Sequence, residues 1–399
     1  GNNSAFIKDK NHEDVGSLFF DSDNDGDLDL YITSSGYELN EDDNLLQDRL
    51  YTNDGKGNFK KSNNLPVMLS STKAEKSFDY DQDGDLDLIV GGRVIPGKYP
   101  LAPQSFILEN NQGIFTNVTQ VIAPGFERIG MISDIEITDY NNDNSIDIML
   151  VGQWMPITIF SFENGKFVKT LFPEFDKTEG WYNSIISSDF NKDGNMDYVL
   201  GNLGKNNKFH PTLGKPLHIF SNNFDDNTSY DIALSKEFRG ELVPVRGKDC
   251  SSEQTPFLNE KISSFKEFAS LNIEGIYGND AIASSNHMIA YNFKSLYLQN
   301  NGNGSFNVMA LPNMAQFSPT QDFEVQDLNN DGFMDLIGVG NLYDAEVETV
   351  RYDASYGYIL LNDGKGNFLP SNNNGFFCDK DMRMVSKINI DNKPHFIVA

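Results

Sequence analysis

Two cysteines in 399 residues, Cys250 and Cys378, leave no room for a disulfide framework, and neither has a Cys or His neighbour at zinc spacing. A single bridge between them and two free thiols are both compatible with the sequence. Histidine is also scarce. His12, His210, His218, His287 and His395 share no motif, and neither G-x-S-x-G nor H-E-x-x-H occurs. No apolar run approaches the roughly 18 residues that a membrane span needs. Basic residues number 31 against 58 acidic ones, and the formal charge of −27 disfavours nucleic acid as a partner. The first residues, GNNSAFIKDKNHED, are polar, so any export signal is expected to have been removed or to lie upstream.

The acid is not spread evenly. A nine-residue pattern, D-x-D/N-x-D/N-G-x-x-D, reads DSDNDGDLD at 21–29, DYDQDGDLD at 79–87, DYNNDNSID at 139–147, DFNKDGNMD at 189–197 and DLNNDGFMD at 327–335, with a weaker copy, NFDDNTSYD, at 223–231. Calcium takes six to eight oxygen ligands, and alternate positions of a tight loop can point inward to supply them. An EF-hand opens the same way but needs Glu at loop position 12, where this chain has Ile32, Val90, Leu150, Leu200, Leu234 and Gly338. Instead, strong copies run straight into LYI, LIV, IMLV, YVL and LIGV, which read as strands. The loops are therefore expected to join two β-strands.

In the first copy the side chains of Asp21, Asp23, Asp25 and Asp29 and the main-chain carbonyl of Asp27 are the expected ligands, with Gly26 making the turn. The same positions are Asp79, Asp81, Asp83, Asp85 and Asp87 in the second copy, and Asp139, Asn141, Asp143, Ser145 and Asp147 in the third, where Asn144 replaces the glycine. They are Asp189, Asn191, Asp193, Asn195 and Asp197 in the fourth and Asp327, Asn329, Asp331, Phe333 and Asp335 in the last. The weak copy offers Asn223, Asp225, Asn227 and Asp231, with Thr228 in place of Gly. Five or six structural Ca2+ ions are expected, and they would account for much of the negative charge. The competing reading is that Asp and Asn serve only local backbone hydrogen bonds.

Second hairpins follow most loops: LYTNDGKGNFKK at 50–61, FILENNQGIFTNV at 106–118, ITIFSFENGKFV at 157–168, SLYLQNNGNGSFNV at 295–308 and YILLNDGKGNFLP at 358–370. Four strands per unit at this period imply an all-β fold, a β-propeller of about seven four-stranded antiparallel blades. The blades fall at about 15–61, 74–118, 131–171, 183–247, 270–309 and 320–369, and a strand pair at 384–399 starts a seventh. Either residues 5–8 close that blade or the chain is a piece of a longer protein, the reading favoured here. The whole of 1–399 reads as one such domain, with a small helical insertion at about 250–272, where Phe257, Leu258, Ile262, Phe265 and Phe268 recur at helical spacing.

These loops resemble the FG-GAP repeats of integrin α-chain propellers and the related VCBS repeats, in which calcium sits in inner-strand hairpins. More narrowly, FDYDQDGDLDLIVGGRVIPGKYP, VGQWMPITIF, GNLGKNN, LPNMAQFSP and RYDASYGYILLNDGKGNF are similar to the large VCBS-repeat surface proteins of Bacteroidota, related to cartilage-acidic-protein-like (ASPIC/UnbV) sequences. The resemblance implies flanking domains in a longer parent chain. It brings no settled biochemical activity with it.

If each calcium loop joins the first two strands of a blade, the connection after the second strand lies on the opposite face. Those connections, GGRVIPGKYP, VGQWMP, GNLGKNN and GNLYDAEVETVRYDAS, make Arg93, Tyr99, Gln153, Trp154, Lys205, Arg351 and Tyr352 candidates for a recognition surface. The same residues could instead bridge neighbouring blades. The expected function is a calcium-stabilised extracellular or cell-surface binding or adhesion module for protein or glycan, without direct membrane insertion. Weak calcium sites fill outside cells, where the ion is abundant. The alternative is a polysaccharide lyase or hydrolase, for which no catalytic set is assigned and His210, Asp344 and Glu346 are the residues to test.

Overall fold

A computed structural model describes residues 4–225, 227, 229–345, 349–372, 375–391 and 393–399. Each strong acidic loop closes a hairpin, because its ninth residue pairs with the residue just before the loop: Phe20 with Asp29, Phe78 with Asp87, Ser188 with Asp197 and Gln326 with Asp335. The apolar run after the loop is the second strand. Asp87–Val94, Asp147–Gln153, Asp197–Gly201 and Asp335–Gly340 are buried over almost their whole length. Burial on both faces explains why they read as unbroken apolar runs and not as alternating ones.

Among the described residues, six four-stranded sheets and one two-stranded sheet result. Three take their strands consecutively: Glu13–Phe20, Asp29–Ser35, Arg49–Thr52 and Lys60–Lys61; then Ser71–Phe78, Asp87–Val94, Phe106–Asn111 and Ile114–Asn117; then Met131–Thr138, Asp147–Gln153, Thr158–Glu163 and Lys166–Thr170. A similar sheet holds Thr320–Gln326, Asp335–Gly340, Tyr358–Asn362 and Phe368–Pro370, and the pair Val385–Ile390 and Lys393–Val398 ends the chain.

The fourth sheet departs from the expected blade boundaries. Its inner hairpin is Ser184–Ser188 and Asp197–Gly201, but its outer hairpin is Leu296–Asn300 and Phe306–Ala310, with Tyr198 paired to Leu298. The segments expected as blades at 183–247 and 270–309 thus contribute to one sheet. Between them, Leu217–Asn222, Asp231–Phe238, Glu241–Pro244 and Asn286–Ala290 form a separate inserted sheet in which Asn286–Ala290 lies at an edge. The stretch before Leu296 has no acidic loop because it opens no blade-like hairpin. Short helices occupy 248–283, further along the chain than the expected 250–272. Phe220, Ala233, Leu258, Ile262, Phe268 and Ile276 bury their apolar faces together, joining these helices to the inserted sheet. Residues 5–8 are helical, with Phe6 edge-on to Tyr51 at 4.9 Å, and do not extend a sheet.

The chain divides into two compact units, 1–135 with 162–169 and 215–289, and 136–161 with 170–214 and 290–399. In the first, Tyr31 and Leu50 of one sheet meet Leu88, Val90 and Phe106 of the next. In the second, Met149 and Ile159 meet Tyr198, Leu298 and Phe306, and Val199 and Tyr297 meet Leu336, Leu360 and Phe368. Within the sheet of Thr320–Gln326 and Asp335–Gly340, the first and second strands come closest where the second ends in glycine. A Cβ on Gly340 would lie 1.8 Å from the carbonyl oxygen of Pro319, which is backbone and cannot swing aside. Gly340→Ala is expected to cost about 3 kcal/mol, the upper part of the overpacking range. Urea unfolding measures it, and an unchanged midpoint would mean that the backbone yields there.

Candidate metal centres

Position 4 of every strong loop takes a left-handed turn, with φ of 62° at Asn24, 61° at Gln82, 59° at Asn142, 59° at Lys192 and 60° at Asn330. Position 6 is left-handed as well, at 92° in Gly26, 95° in Gly84, 88° in Gly194 and 90° in Gly332. Asn144 adopts 65° in the copy that lacks glycine, a conformation that asparagine tolerates. Two such turns bend the loop so that its carboxylates face inward.

The position-6 amide then donates to Oδ2 of position 1, at 3.0 Å for Gly26 to Asp21, 3.2 Å for Gly84 to Asp79, 2.9 Å for Asn144 to Asp139, 3.0 Å for Gly194 to Asp189 and 2.9 Å for Gly332 to Asp327. The position-7 amide donates to Oδ1 of position 5, between 2.7 and 3.1 Å. These bonds are what the purely local reading of the acids calls for. In the third and fourth loops the other oxygen of the first Asp is also taken, by the amide of Asp143 on Asp139 at 3.0 Å and of Asp193 on Asp189 at 3.1 Å, but the remaining loops leave oxygens over. Oδ1 of Asp21, Asp79 and Asp327, all at position 1, is buried without a hydrogen-bond partner, and so is Oδ1 of Asn223 in the weak loop. In the first loop carboxylate oxygens of Asp21, Asp23 and Asp25 lie within 4.8 Å of one another, as do those of Asp79, Asp81 and Asp87 in the second. Partnerless buried oxygens facing like charges suit a hard cation, which oxygen ligands alone can hold. The residues present therefore fit calcium.

The position-9 carboxylate does more than offer a ligand oxygen. Asp87 accepts the Tyr80 amide on Oδ2 at 3.1 Å and the Asn110 amide on Oδ1 at 2.8 Å. Asp29 takes the amides of Ser22 at 3.1 Å and Asn53 at 2.7 Å, and Asp335 those of Leu328 at 2.9 Å and Asn362 at 2.8 Å. Asp197 takes the Tyr297 hydroxyl and the Asn300 amide, both at 2.8 Å. Each acid thus pins its loop to the end of the third strand. Burial pushes Asp87 up to about 7 and Asp197 up to about 6, against the pull of these donors.

A further set of residues escaped the sequence reading. The asparagine that ends the third strand reaches the position-2 carbonyl of the preceding loop: Asn110 to Ser22 at 2.9 Å, Asn300 to Tyr140 at 2.6 Å and Asn362 to Phe190 at 2.7 Å. The signal was the repeated Asn in LENN, LQNN and LLND. In the third sheet Phe162 stands at that register and packs 6.0 Å from Tyr80 instead. The position-4 side chains also join successive loops: Asn24 donates to the Gly84 carbonyl at 3.3 Å, Asn142 to that of Gly194 at 3.2 Å, and the Lys192 ammonium sits 4.9 Å from the Phe333 ring.

The weak loop lies in the inserted sheet, between Leu217–Asn222 and Asp231–Phe238. Asp231 accepts the Phe224 amide at 3.2 Å, and Asp225 that of Asn227 at 3.3 Å. Thr228 lies outside the described residues, as does Glu346.

The proposed recognition residues have mixed surroundings. Arg93 donates to the Ser35 hydroxyl at 3.1 Å, bridging the first two sheets. Trp154 is buried with its ring 5.4 Å from Trp181, and its amide donates to the Gly180 carbonyl at 2.9 Å; Gln153 bridges to Trp181. Lys205 reaches Asn313 at 3.3 Å. Tyr352 is buried and pairs with Leu342, whereas Arg351 is exposed, 4.1 Å above the Tyr343 ring and 3.0 Å from Asp353. Tyr99 lines a cavity in the first unit. Cys250 and Cys378 are not joined in a disulfide. His210 and Asp344 are exposed.

A family model described as FG-GAP-like repeat matches three times, over residues 21–90, 79–150 and 139–200. Each match starts at the first Asp of one loop and ends in the strand after the next. No curated protein matches the sequence. Among solved structures the chain is similar to the biofilm matrix protein Bap1 of V. cholerae, at 16% identity with a TM-score of 0.29; the match covers 56% of this chain and 35% of that one.

The third-strand asparagines are open to test. Asn362→Ala removes the donor to Phe190 and, at 3.1 Å, to Met334. One buried and one half-buried acceptor are left unpaired, so a loss of about 1–3 kcal/mol in urea unfolding is expected. A loss within error would reduce the asparagine to a passive turn residue.

Proposed function

We propose that the chain, with its three FG-GAP-like repeats, is a calcium-stabilised binding or adhesion module that works outside the cell. The buried, partnerless Oδ1 of the first Asp in three loops is the observation that carries the reading. In the first loop Asp21, Asp23, Asp25, Asp29 and the Asp27 carbonyl would hold the ion, and the corresponding residues would do so in the others. A bound cation cancels the mutual repulsion of the carboxylates. Because it binds only the folded loop, its binding energy becomes folding energy. The repeated sheets are then propeller blades whose loop ends are metal-tied, and the inserted sheet is an addition to them.

Extracellular calcium would keep such sites filled, which favours a surface or secreted location. Among the described residues no helix is long and apolar enough to cross a membrane. Recognition is assigned, in each unit separately, to the connections that follow the second strands, with Arg93 and Tyr99 in the first unit and Lys205 and Arg351 in the second. Trp154 and Tyr352 sit in the packing beneath these connections. A protein or glycan is the expected ligand.

Excess chelator should lower the melting temperature by about 10 °C or more, and Asp83→Ala should reproduce part of that loss in calcium. A melting curve indifferent to chelator would remove the calcium reading. For the ligand, a glycan and protein array in millimolar calcium, run beside Arg351→Ala at unchanged melting temperature, should give a hit that the variant weakens. No hit on the array would leave these connections as packing between sheets.

A further inference from the structure

Tyr37 follows the strand Asp29–Ser35 and Tyr99 follows Asp87–Val94, so both leave their sheets at the end opposite the acidic loops. Within the same unit, a cavity of about 490 Å3 brings these rings together with Ser229, Tyr230 and Asp231 of the inserted hairpin and with Gln254. That volume lies within the roughly 300–1,000 Å3 usual for small-molecule sites. Sequence distance hides the grouping, since its walls come from four separate stretches, at 37, 99, 229–232 and 254.

The lining combines flat apolar faces with a few fixed polar groups. Tyr37 is 46% exposed, so its ring is open to solvent beside the cavity. The Tyr230 hydroxyl donates to the Ser221 carbonyl at 3.2 Å, which holds that ring in place. Gln254 accepts from Arg246 through Oε1 at 3.1 Å, so its orientation is set and its NH2 group is the donor it brings to a ligand. Asp231 is buried and anchored on Oδ2 by the Phe224 amide.

We infer that this cavity binds a neutral pyranose sugar. A pyranose presents a C–H face that packs on a phenol ring and an edge of hydroxyls that both donate and accept, which matches tyrosines beside a carboxylate, an amide and a hydroxyl. Neutrality follows from the charges. Among the described residues the lining holds a carboxylate and no basic side chain, the Arg246 guanidinium is engaged by Gln254, Glu38, Glu41, Asp42 and Asp43 follow Tyr37, and Lys98 beside Tyr99 is paired with Glu41. A uronate or sulfated sugar would bring its charge against that acid. Because Asp231 closes the loop at 223–231, a cation in that loop fixes one wall of the cavity, and sugar binding becomes calcium-dependent. The inference rests on the binding-module reading and gives it a site and a ligand class.

Isothermal titration of the intact chain in millimolar calcium, with neutral gluco-, galacto- and manno-oligosaccharides, oligogalacturonate and glycine betaine as separate probes, tests it. One neutral class should bind and lose affinity in chelator. Tyr37→Ala should weaken it about tenfold or more, while Tyr37→Phe, which keeps the ring, stays close to wild type. Gln254→Ala, further from the loops, should weaken it too. Failure of every neutral saccharide at millimolar concentration overturns the proposal, as does tighter binding of the uronate or the betaine. A sugar whose binding ignores Tyr37→Ala also overturns it. An array hit that Arg351→Ala weakens and Tyr37→Ala does not would leave the binding module standing and remove the cavity from it.

Discussion

A buried aspartate at the end of an acidic loop ties together the two hairpins of its sheet. Its two oxygens accept amides from opposite directions, one from within the loop and one from the end of the third strand, as at Asp29, Asp87 and Asp335. The hairpin that carries the loop and the hairpin beside it are thereby fixed to each other by one side chain. Substituting any neutral apolar residue would strand two amides, and a longer Glu would push the loop off the sheet. Burial works against ionisation of Asp87 and Asp335, and the further carboxylates around each add to that. A cation in the loop would relieve that opposition, so a structural reason and the proposed metal-binding reason for the same residue can coexist.

Much of the architecture could be read directly. Four continuous apolar runs immediately after Asp-rich loops specify buried second strands, and Asn-Gly or Asp-Gly pairs mark the outer hairpins. The left-handed turn at Asn144 was also legible, since asparagine is the residue that replaces glycine there at least cost. What could not be read was long-range pairing. Nothing local in SLYLQNN says that Leu298 pairs with Tyr198 instead of with a nearer strand, because every third strand in the chain carries the same pattern. The inserted sheet was mistaken for repeat units for the same reason.

The candidate sites divide along similar lines. Carboxylate spacing suggests a cation loop directly, because the proposed ligands are neighbours in sequence. Position 9 was read as a ligand only, and its hold on the third strand became visible with the partner amides in place. On the opposite ends of the sheets, residue type alone misleads: Trp154 and Tyr352 are the aromatics one would choose for a binding surface, yet both are buried. Tyr37, in an acidic stretch without other aromatics, carried no signal. Its role depends on Gln254 and Asp231, which reach the same cavity from the insertion.

The split fourth sheet bears on how the chain is made. Asp197–Gly201 emerges long before its partner Leu296–Asn300, with nearly a hundred residues between them. At about 5–20 residues per second of synthesis, that buried strand waits roughly 5–20 s with one edge unpaired. An apolar strand with a free edge is a template for pairing with other chains. The inserted sheet and its helices, which have an apolar cluster of their own, can fold during that interval and shorten the effective loop that Leu296–Asn300 must close. The insertion thus acts on the order of assembly as well as on the finished fold, and the fourth sheet is where a nascent chain is most exposed to a wrong neighbour.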